Sequence, residues 1–332
     1  MTPDNVFVFL QNIDVLWLLT ALAGGAFAAM IGANWAFAFT GVAIFLGLGV
    51  AAGTGSTIVL DYVAFGPVFG PHISFAGGAA AAAYAARARV LKAGGKDINT
   101  SLVGLGRQDV ILVGALFGGG AYVVQRLLSQ IPWFGGHTDS VALTVVLSGV
   151  AARLLFGSTP LAHRPVKPTD AAGWLRYQET PGQLLSVAGF SSLFAAGMAV
   201  VFANYVVPLG LTVEQYPQLV NSAKVLPFAI SAICIFFVAS GHRFPVTHHM
   251  TITAGMAAVE FFAVTHNGIA AILIGTVFGV VAGFVGELAA RVFYNQGDTH
   301  VDPPAIAIFI MNTAIWVALI PLQQAAPPMV GP

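Results

Sequence analysis

The amino-acid sequence predicts an all-α integral membrane protein with about ten transmembrane helices, arranged as two inverted repeats of five helices each. Three observations lead to this prediction: a very apolar composition, ten apolar stretches, and polar residues that recur at matching positions in the two halves. Of the 332 residues, 57% are hydrophobic and 8% are charged, whereas soluble domains carry about 25% charged residues. One soluble core cannot bury so much apolar surface, so we expect a lipid bilayer to cover it.

The apolar stretches follow one another along the chain with short polar segments between them. Most contain the ~17–25 residues that a helix needs to cross the hydrocarbon, but the third stretch of each half is shorter. We therefore expect short or broken third helices. The stretches lie at residues 14–32, 35–53, 72–86, 109–131 and 139–156 of the first half and 183–206, 222–240, 249–264, 268–292 and 303–322 of the second.

Residues 54–71 precede the first short stretch and are apolar but rich in helix-breaking residues. Gly66, Pro67, Gly70 and Pro71 interrupt any regular ladder of helical hydrogen bonds there. Irregular backbone is tolerated at membrane depth only where protein or a water-filled cavity surrounds it. We therefore prefer a re-entrant segment, which gives ten helices. A full span would give eleven and would move the N-terminus to the cytoplasmic side.

The two halves repeat the same polar residues at corresponding places. Each short third stretch begins with a histidine that stands two residues before a serine or threonine. At the start of each fifth stretch, a histidine stands two residues before an aspartate. Because five is an odd number of helices, the second copy should cross the membrane in the opposite direction. Proteins built from such repeats usually place their site between the halves. The recurring residues are His72, Ser74, His137 and Asp139 in the first half and His249, Thr251, His300 and Asp302 in the second.

The basic residues agree with this inverted arrangement. All 13 lysines and arginines except Arg126 and Lys224 fall on one side of the membrane when the second half is inverted. The positive-inside rule makes that side cytoplasmic, together with the basic loops at 86–108 and 157–181. The expected organisation is a first repeat at 1–156, an inter-repeat loop at 157–181 and a second repeat at 182–332, in the cytoplasmic (inner) membrane of a bacterium.

The starts of the short third helices are the first candidate site. A helix N-terminus offers unpaired N–H groups and a positive partial charge. Where two such half-helices meet from opposite sides of the bilayer, they form a polar site at membrane depth. We expect His72 and His249, with Ser74 and Thr251, to approach each other there, and Asp61 to be a partner. Alternatively, the hydroxyl residues cap the helices and the histidines cover helix ends.

The His-x-Asp pairs are the second candidate site. An imidazole beside a carboxylate suits a transition metal or a proton relay, so the sequence predicts a divalent-metal site drawn from five residues. The alternative is that each aspartate is an N-cap, because each stands directly before an apolar helix. The five residues are His137, Asp139, His248, His300 and Asp302.

The function predicted from these features is a membrane transporter or channel that moves a small solute or ion between the two repeats. A divalent metal ion or a proton-coupled solute is favoured. The alternative is an integral-membrane enzyme whose His/Asp cluster holds a metal and activates water, and a third interpretation is a non-catalytic subunit. The zero formal net charge and the lack of a large basic patch exclude a nucleic-acid partner. The expected partners are the lipid bilayer and the solute, and formation of a homo-oligomer stays open.

Overall fold

The computed structural model describes residues 13–165, 173–206 and 222–325. It is 74% helical, and the described residues contain no β-strand. Five of the helices are long and apolar enough to cross a membrane. The predicted all-α class is thus confirmed, and the apolar helices fit the predicted membrane protein. Part of the inter-repeat loop, residues 166–172, lies outside the described residues.

Each apolar stretch corresponds to one helix or, at 222–240, to two consecutive short helices. The first half contains α1 (Val15–Ile31), α2 (Ala33–Thr54), α3 (Ser74–Arg87), α4 (Gln108–Ser129) and α5 (Ser140–Phe156). The second half contains α6 (Pro181–Val201), α7 (Leu226–Ile233), α8 (Ile235–Ala239), α9 (His248–Thr265), α10 (Gly268–Ala289) and α11 (Pro303–Ala325). One π-helical turn, Phe202–Val206, extends α6, and another, Ala290–Tyr294, extends α10.

Side chains at the helix N-termini explain where several helices begin. Asp14, Asp139 and Asn267 accept hydrogen bonds from backbone N–H groups in the first turns of α1, α5 and α10. Thr180 and Gln183 form a capping box at the start of α6. These bonds satisfy N–H groups that have no partner within the helix.

The segment before α3 has the irregular backbone that its glycines and prolines predict. It contains the five-residue π-helix Leu60–Ala64, followed by bends and turns up to Ile73. α3 itself has 14 residues, about 21 Å of helix, which is short of the ~30 Å hydrocarbon core. α9, which we expected to be similarly short, has 18 residues and is close to a full span.

The helices of the two halves pack in the same scheme. In the first half α1, α3 and α4 contact one another, and in the second half α6, α9 and α10 do so. The main contacts between the halves involve three pairs of helices: α2 packs against both α7 and α8, and α5 packs against α11. These five helices therefore connect the two three-helix groups.

Glycines allow the first three-helix group to pack closely. Gly25 of α1, Gly77 of α3, and Gly114 and Gly118 of α4 meet where these helices contact one another. A Cβ atom built on Gly77 would lie 2.7 Å from Cα of Gly25, and one on Gly118 would lie 2.8 Å from the same atom. Small residues at such contacts are typical of membrane helix interfaces.

Candidate functional site

A cavity of about 520 Å³ lies between the two halves. Its wall is formed by residues of α2, α5, α8, α9 and α11, by single residues of α3 and α7, and by the loops between the helices. Cavities of this size are typical of small-molecule sites, which fall at about 300–1,000 Å³. Among the helices, α5 and α11 contribute the most residues to this wall.

The cavity wall uses matching positions of the two halves. Pro71 and His248 each stand directly before the paired histidine of their repeat, and both line the cavity. Asp139 and Asp302 lie at the starts of α5 and α11, and both also line it. Further matching pairs on the wall are Phe75 with Ile252, Ala142 with Ala305, and Val145 with Ile308.

α5 and α11 run antiparallel, and each begins beside the middle of the other. Asp139, at the start of α5, accepts a hydrogen bond from Asn312, ten residues into α11 (Nδ2 to Oδ2, 3.1 Å). At the other end, Gly149 of α5 lies against the chain just before α11, where its Cβ would be 3.1 Å from the His300 carbonyl oxygen. Ten residues of helix separate these contacts, so the two aspartates lie about 15 Å apart.

Both aspartates are helix N-caps whose second oxygen has a further side-chain partner. One oxygen of Asp139 accepts from the backbone N–H of Ala142 at 2.8 Å, while Asn312 donates to the other. One oxygen of Asp302 accepts from the N–H of Ala305 at 2.8 Å, and the other lies 3.0 Å from Nε2 of His300. The expected capping role is therefore present, and each carboxylate also lines the cavity.

Two histidines on the cavity wall lie among aromatic rings. The His248 ring is 4.8 Å from the Phe37 ring, and its Nδ1 is buried with no hydrogen-bond partner among the described residues. The His300 ring lies 5.6 Å from Phe75 and 5.2 Å from Tyr294. Both rings therefore lie on the aromatic part of the cavity wall.

Two lysines also line the cavity, and both have partners. Nζ of Lys96 lies 4.8 Å from the centre of the Tyr294 ring and donates to the carbonyl oxygens of Tyr294 and Asn295. Burial lowers the pKa of Lys96, and the nearby Arg153 lowers it further. Nζ of Lys224 lies 3.4 Å from a carboxylate oxygen of Glu260.

The loop that carries His300 is attached to the first half of the chain by Arg153. This side chain is fully buried, and its guanidinium donates to the hydroxyl and carbonyl oxygens of Thr299, next to His300. It also donates to the carbonyl oxygens of Pro160 and Phe293. Arg153 thereby fixes the position of the chain from Thr299 to Asp302 relative to α5.

Asp298, in the same loop, should make the protein sensitive to acid. Burial raises its pKa, but N–H and O–H donors of Ser158 and Thr159 lower it more, to about 2. Because this pKa lies below the usual value of about 3.9, the carboxylate stabilises the fold above pH ~4, and that contribution is lost as the pH falls towards 2. We expect the melting temperature in detergent to fall more steeply from pH 5 to pH 3 in the wild type than in Asp298→Asn. Equal slopes would contradict the assignment.

Four of the predicted site residues line the cavity: Asp139, His248, His300 and Asp302. The others do not. The Asp61 side chain is exposed and accepts a hydrogen bond from the Thr57 hydroxyl, so it is no partner for a buried histidine. Nδ1 of His137 contacts the carbonyl oxygen of Trp133, and its ring stacks on the Trp133 ring rather than pairing with Asp139.

His72 and His249, which were predicted to meet at the starts of the third helices, do not line the cavity either. His72 is buried near Arg126 in the first half, whereas the His249 ring contacts the rings of Trp174 and His248. The hydroxyls of Ser74 and Thr251 bind carbonyl oxygens of the preceding turns. The Thr251 hydroxyl also lies 3.0 Å from that of Ser231 on α7. Neither hydroxyl is a helix cap, because no side chain caps the start of α3 or α9.

The divalent-metal hypothesis does not find a ligand set in the described part of the chain. No three side chains of His, Cys, Asp or Glu come together there as metal ligands. His300 and Asp302 form a pair, but catalytic zinc sites use three protein ligands. The alternative of a metal-dependent enzyme therefore lacks its expected centre among these residues.

Several cavity residues were not predicted from the sequence. Phe37 and Phe228 gave no signal, because aromatic residues are scattered along all the apolar stretches. Asn312, in contrast, could have been found from the sequence, because its amide lies within the apolar stretch 303–322. Polar groups at membrane depth tend to be functional or paired.

The chain matches the model of a family described as a family of unknown function (DUF7973) over residues 7–170 and 204–324, and it belongs to that family. The match includes every cavity-lining residue except Trp174 and Leu175. Comparisons with curated proteins and with solved structures gave no match.

Proposed function

We propose that this protein is a membrane transporter or channel that passes a small solute or ion through the cavity between its two halves. The observation that carries the proposal is the cavity itself, which both halves line at matching positions, including a carboxylate from each half. Ligand sites of transporters built from repeats lie at the interface between the repeats. The proposed pathway residues are Asp139, His248, His300 and Asp302.

Two inverted five-helix repeats are part of the proposal. The groups α1–α3–α4 and α6–α9–α10 share one packing scheme, and α5 and α11 meet antiparallel with equivalent ends. A pseudo-two-fold axis in the membrane plane would relate such elements. The ten spans, the re-entrant segment before α3, the bacterial inner membrane and the cytoplasmic loops at 86–108 and 157–181 belong to the same proposal.

The charges around the cavity favour a cation or a proton-coupled solute. Free helix N-termini attract anions, but at α5 and α11 the carboxylates of Asp139 and Asp302 already occupy that position. A second anion there would meet a like charge. A proton-coupled solute is compatible with the imidazole of His300, which lies beside Asp302 on the wall.

Filling the cavity should block transport. Ala305 lines the cavity at the first turn of α11, and a phenylalanine there would extend into it. In proteoliposomes we expect Ala305→Phe to reduce the flux of the transported solute at least about tenfold, a barrier increase of about 1.4 kcal/mol. The matched control is Ala52→Phe, because Ala52 is exposed on α2 and is not on the cavity wall.

The flux assay should use a panel of monovalent and divalent metal ions, organic cations, organic anions and neutral solutes, each with and without a proton gradient. The wild type and Ala52→Phe should transport at least one of them faster than empty liposomes. Fluxes that equal those of empty liposomes for every solute, or a solute that Ala305→Phe transports normally, would contradict the proposal.

A further inference from the structure

The wall of the cavity is mainly apolar and aromatic, which restricts the solutes that it can bind. A hard metal cation takes six or more oxygen ligands or keeps its water shell, and no three His, Cys, Asp or Glu side chains of the described residues come together as ligands. An organic ion, in contrast, can bury an apolar body against such a wall. The aromatic residues that line the cavity are Phe37, Phe65, Phe75, Trp174, Phe228, Tyr294 and Trp316.

The charged groups at the cavity favour a positive ligand. The carboxylates of Asp139 and Asp302 have only neutral N–H donors and an imidazole as hydrogen-bond partners. Of the two lysines, Lys224 is paired with Glu260. Neither Asp139 nor Asp302 forms an ion pair with a lysine or arginine of the described residues, so a bound cation would give these two carboxylates a positive partner.

One ammonium group already lies at this wall. Lys96 places its Nζ over the ring of Tyr294, and two backbone carbonyl oxygens accept its hydrogen bonds. Aromatic faces attract cations through their quadrupole. The contacts of Lys96 are therefore the kind that an ammonium ligand would make elsewhere along the same cavity.

His248 adds a further ring to this part of the wall. Its ring contacts those of Phe37 and Phe228, which also contact each other, so the three rings form one cluster that lines the cavity.

We propose that the cavity binds an organic ammonium ion, with its apolar body among the aromatic rings and its charge beside Asp302 or Asp139. This inference rests on the proposed function, because it names the class of solute for the same cavity. The two carboxylates attract the charge, and the rings of Phe37, Phe75 and Phe228 replace the water around the apolar part.

The test is a binding measurement on the purified full-length protein in detergent, by isothermal titration calorimetry. Three probes share one ring and differ in charge: benzylammonium, benzyl alcohol and benzoate. We expect the wild type to bind benzylammonium at least about tenfold more tightly than the other two, since a charge at these distances in a partly buried site is worth about that factor.

Substitutions of opposite charge should have opposite effects on this affinity. Asp302→Asn should weaken binding of benzylammonium about tenfold, and Lys96→Met should strengthen it, because it removes a like charge and frees the Tyr294 ring. Asparagine is also a good N-cap, so Asp302→Asn keeps the first turn of α11. Asp14→Asn is the matched control, since Asp14 caps α1 and does not line the cavity.

Binding of benzoate or benzyl alcohol as tight as that of benzylammonium would overturn the inference. So would an unchanged affinity in Asp302→Asn with an unchanged melting temperature. If Lys96→Met does not fold, Asp139→Asn provides the second charge variant and should weaken binding. Because binding is measured without flux, benzylammonium binding with no transport would contradict only the proposed function. Transport of other solutes without this binding would contradict only the ammonium inference.

Discussion

Gly118→Leu should prevent the chain from folding, whereas Gly120→Leu, two residues along the same helix, should be tolerated. A Cβ on Gly118 would lie 2.6 Å from the carbonyl oxygen of Ala21 and 2.8 Å from Cα of Gly25, both in the backbone of α1. No heavy atom lies within 4 Å of a Cβ built on Gly120. Backbone atoms cannot move aside as a flexible side chain can, so we expect a loss well above the 1–3 kcal/mol typical of overpacked cores.

The measurement is the yield of monodisperse protein in size-exclusion chromatography, followed by the melting temperature of whatever folds. Both variants change glycine to leucine within α4, so the gain in intrinsic helix propensity is the same in each. Gly118→Leu with a normal yield and melting temperature would show that α1 and α4 are not packed as closely as described. Aggregation of Gly120→Leu would point to lipid-facing effects instead.

The helical class could be predicted because it depends on local sequence. Apolar runs bounded by polar residues determine where a membrane helix begins and ends, and Asp14, Asp139 and Asn267 mark starts through bonds to the next few residues. The irregular segment before α3 was predictable for the same reason, since proline and glycine act on their own backbone.

The site could be predicted only where the duplicated pattern coincided with the cavity. Asp139 and Asp302 were candidates because each precedes a fifth helix, and both line the wall. His137 and His300 look equivalent in sequence, yet His300 lies beside its aspartate while His137 stacks on Trp133. The difference comes from the neighbours that each loop meets in the fold, and a repeated pattern of two residues does not contain that information.

Contacts between distant parts of the chain were the main features that the sequence could not predict. Arg153 counted among the basic residues of the cytoplasmic side, because its position near the end of an apolar stretch resembles that of an exposed arginine. In the structure it is buried against Thr299, 146 positions further along the chain. Such a partner becomes known only once the two halves are assembled.

Arg153→Met should both destabilise the protein and disturb the cavity. The guanidinium donates to Thr299, Pro160 and Phe293 and lies 3.6 Å from a carboxylate oxygen of Asp298. Methionine fills similar space but donates nothing, so buried carbonyl oxygens lose their partners. Breaking one side of a buried charged network costs about 3–5 kcal/mol. We expect a clearly lower melting temperature in detergent. The control Arg164→Met changes an exposed arginine in the loop that follows α5, and its melting temperature should be close to that of the wild type.

A second effect of Arg153→Met should appear in protein that is still folded. Thr299 adjoins His300, and two residues later Asp302 caps α11 and lines the cavity. Releasing Thr299 lets this loop shift, so benzylammonium should bind more weakly to Arg153→Met at a temperature where the variant remains folded. A melting temperature equal to that of Arg164→Met would refute the stabilising role of Arg153. A lower melting temperature with an unchanged affinity for benzylammonium would mean that the hydrogen bonds of Arg153 stabilise the loop but do not position Asp302. The reason is that the affinity changes only if the carboxylate of Asp302 is displaced.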